Sequence, residues 1–388
     1  MNTESPKFSA ILSLVLFVTV VGANSLSLGP IAPNIAIALE ATSVQVLYGT
    51  SAYSLGTAFS ALLLARFVDY FGALRSLRFG MCIFILAMLG IATSDTLLVM
   101  VITQGVAGLA AGVILPAVYA QATEIAPPGQ ENTIMGRVLV GWMLSMVFGV
   151  SLAAWLADIL GWRSVFYGIA SITMLALLIN ILSFGYKLPA APKDQGVNSP
   201  LKAIKISGVM PLLVVCLCYM MAFYGTYGYV SDHVRYVLDR PVRFAGLIAM
   251  SYGVGFGVAA WGDQLIDRYS ARVIMPWAFA SIGLVYGLLG YGSGDFQIIL
   301  VLAFFWGVFN HFGLSVILTE LASTDPRQKG TIMGLYSAIT YIGASVGTYF
   351  YGLIYSKFDY AMLNLVSMLL LLATALYALG RAKSNQSS

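Results

Sequence analysis

The sequence predicts an all-α membrane protein of twelve transmembrane helices arranged in two six-helix bundles. Three observations indicate this class: the composition is strongly apolar, the apolar residues form long runs, and the second half of the chain repeats the first. Hydrophobic residues make up 59% of the chain and charged residues 9%, whereas a soluble domain carries about 25% charged residues. Apolar runs of about 20 residues are long enough to cross the bilayer core as helices.

The internal repeat is visible in a charged stretch at 65–78, which separates two apolar runs. A similar charged stretch occurs at 262–272. The two stretches are related by a shift of 198 residues, and other positions agree at the same shift. The pairs are Asp69 with Asp267, the sequence Thr-Ile-Met-Gly at 133–136 with that at 331–334, and Gly149 with Gly347. Agreement at one shift in three separated places indicates two copies of one unit.

Short polar connectors divide each copy into six predicted spans. The N-terminal apolar run is too long for the core of a signal peptide, so we expect it to be retained as the first span. The spans of the first copy are 9–37, 44–66, 75–94, 97–122, 133–158 and 163–186. Those of the second copy are 206–231, 243–262, 272–291, 296–319, 331–356 and 360–380.

Residues 187–205 are polar and Pro-rich, and we expect them to form a cytoplasmic linker between bundles at 1–186 and 206–388. With the N-terminus inside, fifteen of the twenty Lys and Arg residues lie on the inner side of the membrane. By the positive-inside rule, this bias predicts that both termini lie in the cytoplasm. The net charge of +4 reflects this orientation, and we expect no nucleic-acid partner.

Residues that build common enzyme and metal sites are sparse. The chain has two histidines and three cysteines, and no HExxH or CxxC motif. We therefore expect no catalytic site, no metal site and no cofactor. We expect Cys82, Cys216 and Cys218 to be buried as small apolar side chains.

Two six-helix copies, each with a charged loop between its second and third helix, resemble the major facilitator superfamily over essentially the whole chain. The family's loop has the form G-x-L-A-D-R-x-G-R-R. In the first copy Asp69 and Gly72 match, Ala65 replaces the leading glycine, and Arg75 and Arg78 supply charge slightly later. In the second copy Gly262 or Asp263, Asp267, Arg268 and Arg272 stand at the corresponding places. The resemblance implies two bundles related by a pseudo-two-fold axis along the membrane normal.

The charged loop suits a cytoplasmic gate. A carboxylate at the inner mouth can accept hydrogen bonds from the N-terminus of an opposing helix and can pair with arginines. The residues that we expect in this gate are Asp69, Gly72, Arg75, Asp267, Arg268 and Arg272. The alternative is that these charges only mark a solvated, positive-inside loop.

The first half is similar to the twelve-helix drug and metabolite efflux branch of the family, which includes sugar-efflux and drug:proton antiporter relatives. The similarity lies in the segment 29–36 in and after the first helix, in Gln104 and Gly105 of the fourth, and in the segment 161–166 after the fifth. Two positions depart from the branch. The fifth-helix antiporter motif, at 149–154, lacks its proline, and Val101 replaces a basic residue.

In this family the substrate cavity lies near the bilayer midplane and is lined mainly by helices one, four, seven and ten. Amides in these helices are strong candidates, because an unpartnered amide is costly in lipid. The candidate substrate-binding residues are Asn24, Gln104, Trp142, Met220, Tyr224, Tyr227, Trp306 and Asn310. Aromatic and methionine side chains with few charges favour neutral, amphipathic or weakly cationic ligands. For any single aromatic, the alternative is helix packing or lipid contact.

Proton coupling needs a group that titrates within a span. The Asp and Glu residues fall toward span ends, so His311 is the candidate inside a span, and imidazole titrates near neutral pH. Asp232, at the outer end of the seventh helix, is a second candidate. The alternatives are a neutral His311 bonded to a neighbouring helix and an outer cap formed by Asp232. We expect Glu124 and Glu320 to cap the inner ends of helices four and ten.

These patterns together predict a monomeric transporter of the bacterial inner membrane. It would export a small organic molecule by alternating access, in exchange for protons, with the lipid bilayer as its surroundings. An uptake symporter or uniporter for a metabolite is the alternative within transport. A non-transporting receptor or scaffold is the alternative from another class, although it would have no use for a duplicated gating loop.

Overall fold

The computed structural model describes residues 7–64, 66–127, 130–185, 204–206, 208–263, 268–325 and 329–384. Over these residues the chain forms twelve long helices and no strand. The chain divides into two compact units, Met1–Val197 and Asn198–Ser388. The division falls inside the predicted linker 187–205, which lies outside the described residues except for 204 and 205.

The first unit contains helices α1 to α6. They are α1 Phe8–Ala38, α2 Ser43–Leu63, α3 Ala73–Ala92, α4 Leu97–Glu124, α5 with its parts Glu131–Leu144, Ser145–Val150 and Ser151–Leu160, and α6 Arg163–Phe184. A short helix, Arg66–Phe71, precedes α3. Hydroxyl caps begin two of the long helices: Thr42 forms a capping box with Gln45 before α2, and Thr96 accepts from the amide of Val99 in α4.

The second unit contains helices α7 to α12. They are α7 Val209–Tyr236, α8 Arg243–Ala259, α9 Ala271–Tyr291, α10 Phe296–Thr324, α11 Lys329–Tyr355 and α12 Tyr360–Ser384. A 3-10 turn, Ala260–Gly262, extends α8. Asp295 caps α10 by accepting from the amides of Gln297 and Ile298.

The helix bounds confirm the internal repeat. Helices α7 to α12 begin 201, 200, 198, 199, 198 and 197 residues after α1 to α6, respectively. The packing order repeats as well. In the first unit α2 packs on α4, α3 packs on α4 and α6, and α1 packs on α5 and α6. In the second unit the equivalent helices pair in the same way: α8 packs on α10, α9 packs on α10 and α12, and α7 packs on α11 and α12. Each copy therefore folds into a six-helix bundle with the same neighbours.

Ten of the helices, within the described residues, are long and apolar enough to cross a bilayer, with mean hydropathies of 1.5 to 2.2. Helices α2 and α11 fall outside this group because they carry many hydroxyl and glycine residues. On α2 these residues face the interior of the bundle: Ser54, Thr57 and Ser60 are buried. The Ser60 hydroxyl donates to the carbonyl of Leu109 on α4 at 2.7 Å. Such small polar faces join helices in a membrane.

The three cysteines differ in burial. The structure buries Cys216, leaves Cys218 partly buried and exposes Cys82. The expectation that all three are buried is therefore wrong for Cys82.

The closest helix contacts are made by glycine. Gly108 of α4 lies against the backbone carbonyl of Tyr53 on α2, and Gly307 of α10 lies against that of Tyr252 on α8. A Cβ at either glycine would overlap the facing oxygen. In both copies the tyrosine precedes the glycine by 55 residues. The same close contact therefore holds equivalent helix pairs together in both units.

Helix α5 contains a π turn, Ser145–Val150, that the sequence pattern did not predict. At this level α5 lies close to α1, where Gly22 faces Ser145 and Ala23 faces Gly149. A π turn adds a residue to one turn and so rotates the side chains that follow. It overlaps the segment 149–154, in which the antiporter motif lacks its proline.

Gly108→Ala and Gly307→Ala will each lower the melting temperature of the purified protein in detergent. The added methyl group forces α4 or α10 away from its partner helix, at a cost of about 1–3 kcal/mol. Gly168→Ala is the matched control, because no atom lies within 4 Å of a Cβ built at that position in α6. Circular dichroism measures the three melting temperatures, and equal values would contradict the role of the close contact.

Candidate functional site

Two amides predicted from sequence meet in the first unit. The Asn24 Nδ2 group on α1 donates to Gln104 Oε1 on α4 at 3.1 Å, although the residues are 80 apart in the chain. Both side chains are at most 2% exposed. Their other polar atoms, Asn24 Oδ1 and Gln104 Nε2, have no hydrogen-bond partner among the described residues. The pair thus presents one acceptor and one donor that remain to be satisfied.

The neighbouring Trp142 is held by a different bond. Its Nε1 group on α5 donates to the hydroxyl of Tyr119 on α4 at 3.1 Å. The π turn begins three residues later, at Ser145, whose hydroxyl donates to the Trp142 carbonyl at 2.7 Å. Trp142 therefore links α5 to α4 next to the irregular turn, and its side chain is only partly buried.

In the second unit, rings from α7, α8, α9 and α10 form an aromatic cluster. The members of the aromatic cluster are Phe223, Tyr224, Tyr227, Tyr252, Tyr286 and Trp306. Phe223 is central, with centroid distances of 5.2 Å to Tyr224, 5.5 Å to Tyr227, 5.4 Å to Tyr252 and 5.6 Å to Trp306. Three predicted binding residues, Tyr224, Tyr227 and Trp306, thus lie together.

Asn310 sits one turn after Trp306 on α10 and joins the aromatic cluster through hydrogen bonds. Its Nδ2 group donates to the Tyr252 hydroxyl at 2.9 Å, and its backbone carbonyl accepts from the Tyr219 hydroxyl at 3.0 Å. Asn310 is fully buried, and its Oδ1 atom has no partner among the described residues. Met220, also predicted, lies against Gly343 of α11.

Sequence reasoning missed Tyr286 as a member of the aromatic cluster. Its ring centroid lies 5.4 Å from that of Trp306, yet in the sequence it is one of 22 tyrosines. Tyr252 was not among the predicted binding residues either, and the structure makes it the hydrogen-bond partner of Asn310. No residue pattern within one helix indicates either role.

The predicted coupling residue His311 follows Asn310 directly and faces the end of α8. Its Nε2 atom lies 2.7 Å from Asp263 Oδ1, and Asp263 follows the 3-10 turn that extends α8. The Phe256 ring lies 4.9 Å from the imidazole. The second coupling candidate, Asp232, lies close to Tyr355 of α11. The structure therefore gives the two candidates different partners on different helices.

The residues that the structure describes include only part of the predicted gate. Gly72 has a positive φ of 87° between the short helix and α3, and Ser270, 198 residues later, has a positive φ of 70° before α9. The two loops therefore share a left-handed residue although only one of them uses glycine. The side chain of Asp69 and the whole of Asp267 lie outside the described residues.

The basic residues of the gate have distinct surroundings. Arg75 is half-buried in α3, and the exposed Arg268 lies over the ring of Tyr269 at 5.3 Å. Arg272 of α9 donates to Glu320 Oε2 of α10 from Nε at 3.3 Å and from Nη2 at 3.2 Å. Glu320, which we expected to cap the inner end of helix ten, joins α10 to α9 through its carboxylate.

Relatives of known sequence match most of the chain. A model of the Major Facilitator Superfamily matches residues 12–348. The uncharacterized MFS-type transporter YwfA of Bacillus subtilis (strain 168) is 25% identical over 362 residues, covering 92% of this chain and 87% of that protein. The multidrug efflux protein YfmO of the same organism is 23% identical over 339 residues, covering 85% of this chain and 82% of that protein.

Solved transporters share the fold at low sequence identity. A mutant of the nucleoside transporter NupG has a TM-score of 0.79 at 14% identity, covering 96% of this chain and 99% of that chain. The xylose transporter XylE from E. coli has a TM-score of 0.72 at 12% identity, covering 95% and 98%. Because the family model spans most of the sequence and these transporters share the fold, the chain belongs to the major facilitator superfamily of membrane transporters and is not an enzyme.

Proposed function

We propose that the chain exports a small organic molecule across the bacterial inner membrane, by alternating access and in exchange for protons. The observation that carries this proposal is a set of buried amides in membrane-spanning helices with unsatisfied polar atoms. At the predicted binding residues these atoms are Asn24 Oδ1, Gln104 Nε2 and Asn310 Oδ1; Asn34, Gln121 and Asn364 carry further such atoms. An unmatched buried polar group costs about 1–3 kcal/mol, and a bound ligand would offset that cost.

The surroundings of these amides indicate the class of ligand. In the second unit, Asn310 adjoins the aromatic cluster, whose rings suit a flat apolar or weakly cationic group through stacking and cation–π attraction. In the first unit, Asn24 and Gln104 offer an acceptor next to a donor, which suits an amide-like or hydroxyl-bearing group. We therefore favour neutral or weakly cationic aromatic molecules as substrates.

The direction of transport is supported by one relative. YfmO is named as a multidrug efflux protein, and the opening half of this chain carries the efflux-branch segments. Uptake by symport or uniport is the alternative. The two directions differ in how substrate moves when a pH gradient is imposed, because an antiporter and a symporter send the substrate opposite ways relative to the proton.

The remaining parts of the proposal concern topology and gating. The Lys and Arg distribution supports cytoplasmic N- and C-termini, and we propose that a single chain suffices for transport. The charged loops around Asp69 and Arg272 would form the cytoplasmic gate. Within the second unit, the Arg272–Glu320 ion pair ties α9 to α10 at 3.2 Å, which would let these helices move together.

Inside-out membrane vesicles with an acidic lumen will accumulate ethidium, an aromatic cation, faster when they contain this protein than when they do not. Protons leaving the lumen drive the substrate inward, and in an inside-out vesicle this inward movement corresponds to export from the cytoplasm. His311→Ala should remove the acceleration by the pH gradient. Ethidium fluorescence measures the accumulation.

Two results would contradict this prediction in different ways. Accumulation that ignores the pH gradient and is unchanged in His311→Ala would exclude proton coupling through His311. Release of preloaded ethidium, driven by the same acidic lumen, would indicate symport and therefore uptake.

Asn24→Ala and Gln104→Ala will each weaken ethidium binding by about 5- to 30-fold, because each removes an atom proposed to bind the ligand. Asn180→Ala is the matched control in the same unit. Both ends of the Asn180 amide are satisfied, since Oδ1 accepts from Arg78 at 3.0 Å and Nδ2 donates to Ser13 at 3.3 Å. That variant should lose stability and keep its affinity. Fluorescence titration gives the dissociation constants, and equal losses in all three variants would argue against ligand contact.

Asp69→Asn will reduce the turnover of ethidium transport more than it reduces ethidium affinity, because the neutral amide is a weaker partner for arginine and for a helix N-terminus. Asp95→Asn is the control: Asp95 is 89% exposed and pairs with Arg163 at 3.1 Å, a surface pair that contributes little. Transport rates and dissociation constants are compared for both variants. Wild-type turnover in Asp69→Asn would leave the loop with only a topological role.

A further inference from the structure

The pair formed by His311 and Asp263 places a titratable group on a transmembrane helix in contact with a carboxylate. The imidazole is 11% exposed and the carboxylate 50% exposed, and their Nε2 and Oδ1 atoms are 2.7 Å apart. We propose that Asp263 and His311 form one proton-binding site, in which Asp263 positions the imidazole and stabilises its protonated form. The proposal rests on the proton coupling proposed above and identifies Asp263 as the partner of His311.

The hydrogen bond determines where the proton binds. A carboxylate accepts from an N–H group, so the neutral imidazole carries its hydrogen on Nε2 and its lone pair on Nδ1. His311 Nδ1 is buried without a hydrogen-bond partner among the described residues. An added proton therefore binds at Nδ1, the Nε2–H bond to Asp263 is kept, and the net charge of the pair changes from −1 to 0.

Protonation also changes the hydrogen bonding that His311 requires. The new Nδ1–H donor is buried without an acceptor in this arrangement, and an unmatched buried donor is unfavourable. A conformation or a bound molecule that supplies an acceptor is favoured only when the proton is present. Proton occupancy is coupled in this way to a change at α10, which also carries Trp306 and Asn310.

Several of the other titratable or charged groups that the structure describes on α10 and on the helices packed against it have partners of their own. The groups that the packed helices bring there are Tyr219 of α7, Tyr252 of α8, Arg272 and Tyr286 of α9, and Tyr336 of α11, with Glu320 on α10 itself. Tyr219 and Tyr252 bond to Asn310, and Arg272 pairs with Glu320. Ser315 lies 3.5 Å from His311 Nε2 as a weaker neutral contact. Asp263 is the carboxylate that touches the imidazole.

The internal repeat argues that this pair serves a function and is not needed for folding. At the shift of 198 residues, the counterparts of Asp263 and His311 are Ala65 and Val113. The first unit packs its helices in the same order without either group. Asp263 and His311 are therefore both present in the second copy, and both are absent from the first.

Nuclear magnetic resonance of the full chain in lipid nanodiscs, with ¹³C,¹⁵N-labelled histidine, tests the proposal directly. The chain has two histidines, so His233→Gln assigns both ring signals. We expect the neutral His311 ring to carry hydrogen on Nε2 and to gain its proton on Nδ1. In Asp263→Asn the titration midpoint of His311 should fall by about one pH unit or more, because the stabilising negative charge is lost.

Two further variants serve as controls. Asp263→Glu keeps the charge and should keep the midpoint near that of the wild type. Asp239→Asn makes the same chemical change at a residue with a positive φ of 47°, which asparagine also adopts, and should shift nothing. A folded Asp263→Asn variant, judged by its melting temperature, whose His311 midpoint stays within about 0.3 pH unit of the wild type would overturn the proposal.

The test separates this inference from the proposed export activity, since the titration requires no substrate. An unchanged midpoint together with ethidium export would refute the proton site and leave the transporter function standing. A shifted midpoint with no transport of ethidium in either direction would support the site and count against the proposed substrate class. With transport present, the pH profile of export in Asp263→Asn should move in the same direction as the titration midpoint.

Discussion

The contact between Gly307 and the backbone of Tyr252 sets the geometry on which the second unit depends. It brings α10 close to α8, with no side chain between the two backbones. At that separation Asn310, one turn further along α10, reaches the Tyr252 hydroxyl. His311 then reaches the end of α8 at Asp263. In a membrane, where apolar burial does not drive helix association, such backbone proximity and interhelical hydrogen bonds are the main sources of specificity.

The first unit has the same contact between a glycine and a tyrosine backbone, but there it positions a different set of polar side chains. Gly108 holds α4 against Tyr53 of α2, and α4 carries Gln104, which pairs with Asn24 of α1. The two copies thus share a helix framework and differ in the side chains that it carries. The first has a neutral amide pair, and the second has an aromatic cluster with a histidine–carboxylate pair. A duplicated framework allows one copy to acquire titratable groups while the other retains neutral ones.

Unsatisfied polar atoms connect this framework to transport. A buried amide with one free end destabilises the empty protein, and the same free end gains most when a ligand arrives. Asn180 shows the contrast, because both ends of its amide are bonded within the first unit. A transporter benefits from sites that are incomplete without a ligand, since binding energy is then available to shift the equilibrium between conformations.

Much of the fold followed from the sequence, because a bilayer demands runs of a given length and because the two copies repeat at a constant shift. The sequence also singled out Asn24, Gln104, Asn310 and His311, since polar groups in apolar helices are rare and costly. It did not reveal that Asn24 meets Gln104 or that His311 meets Asp263, which lie 80 and 48 residues apart. Neither did it reveal the π turn in α5 or the place of Tyr286. These depend on how each helix is rotated about its axis and how closely it approaches its neighbour, and each residue turns the helix by about 100°. The sequence by itself determined which segments are helices and which polar residues they carry; only tertiary packing decided which of those residues touch.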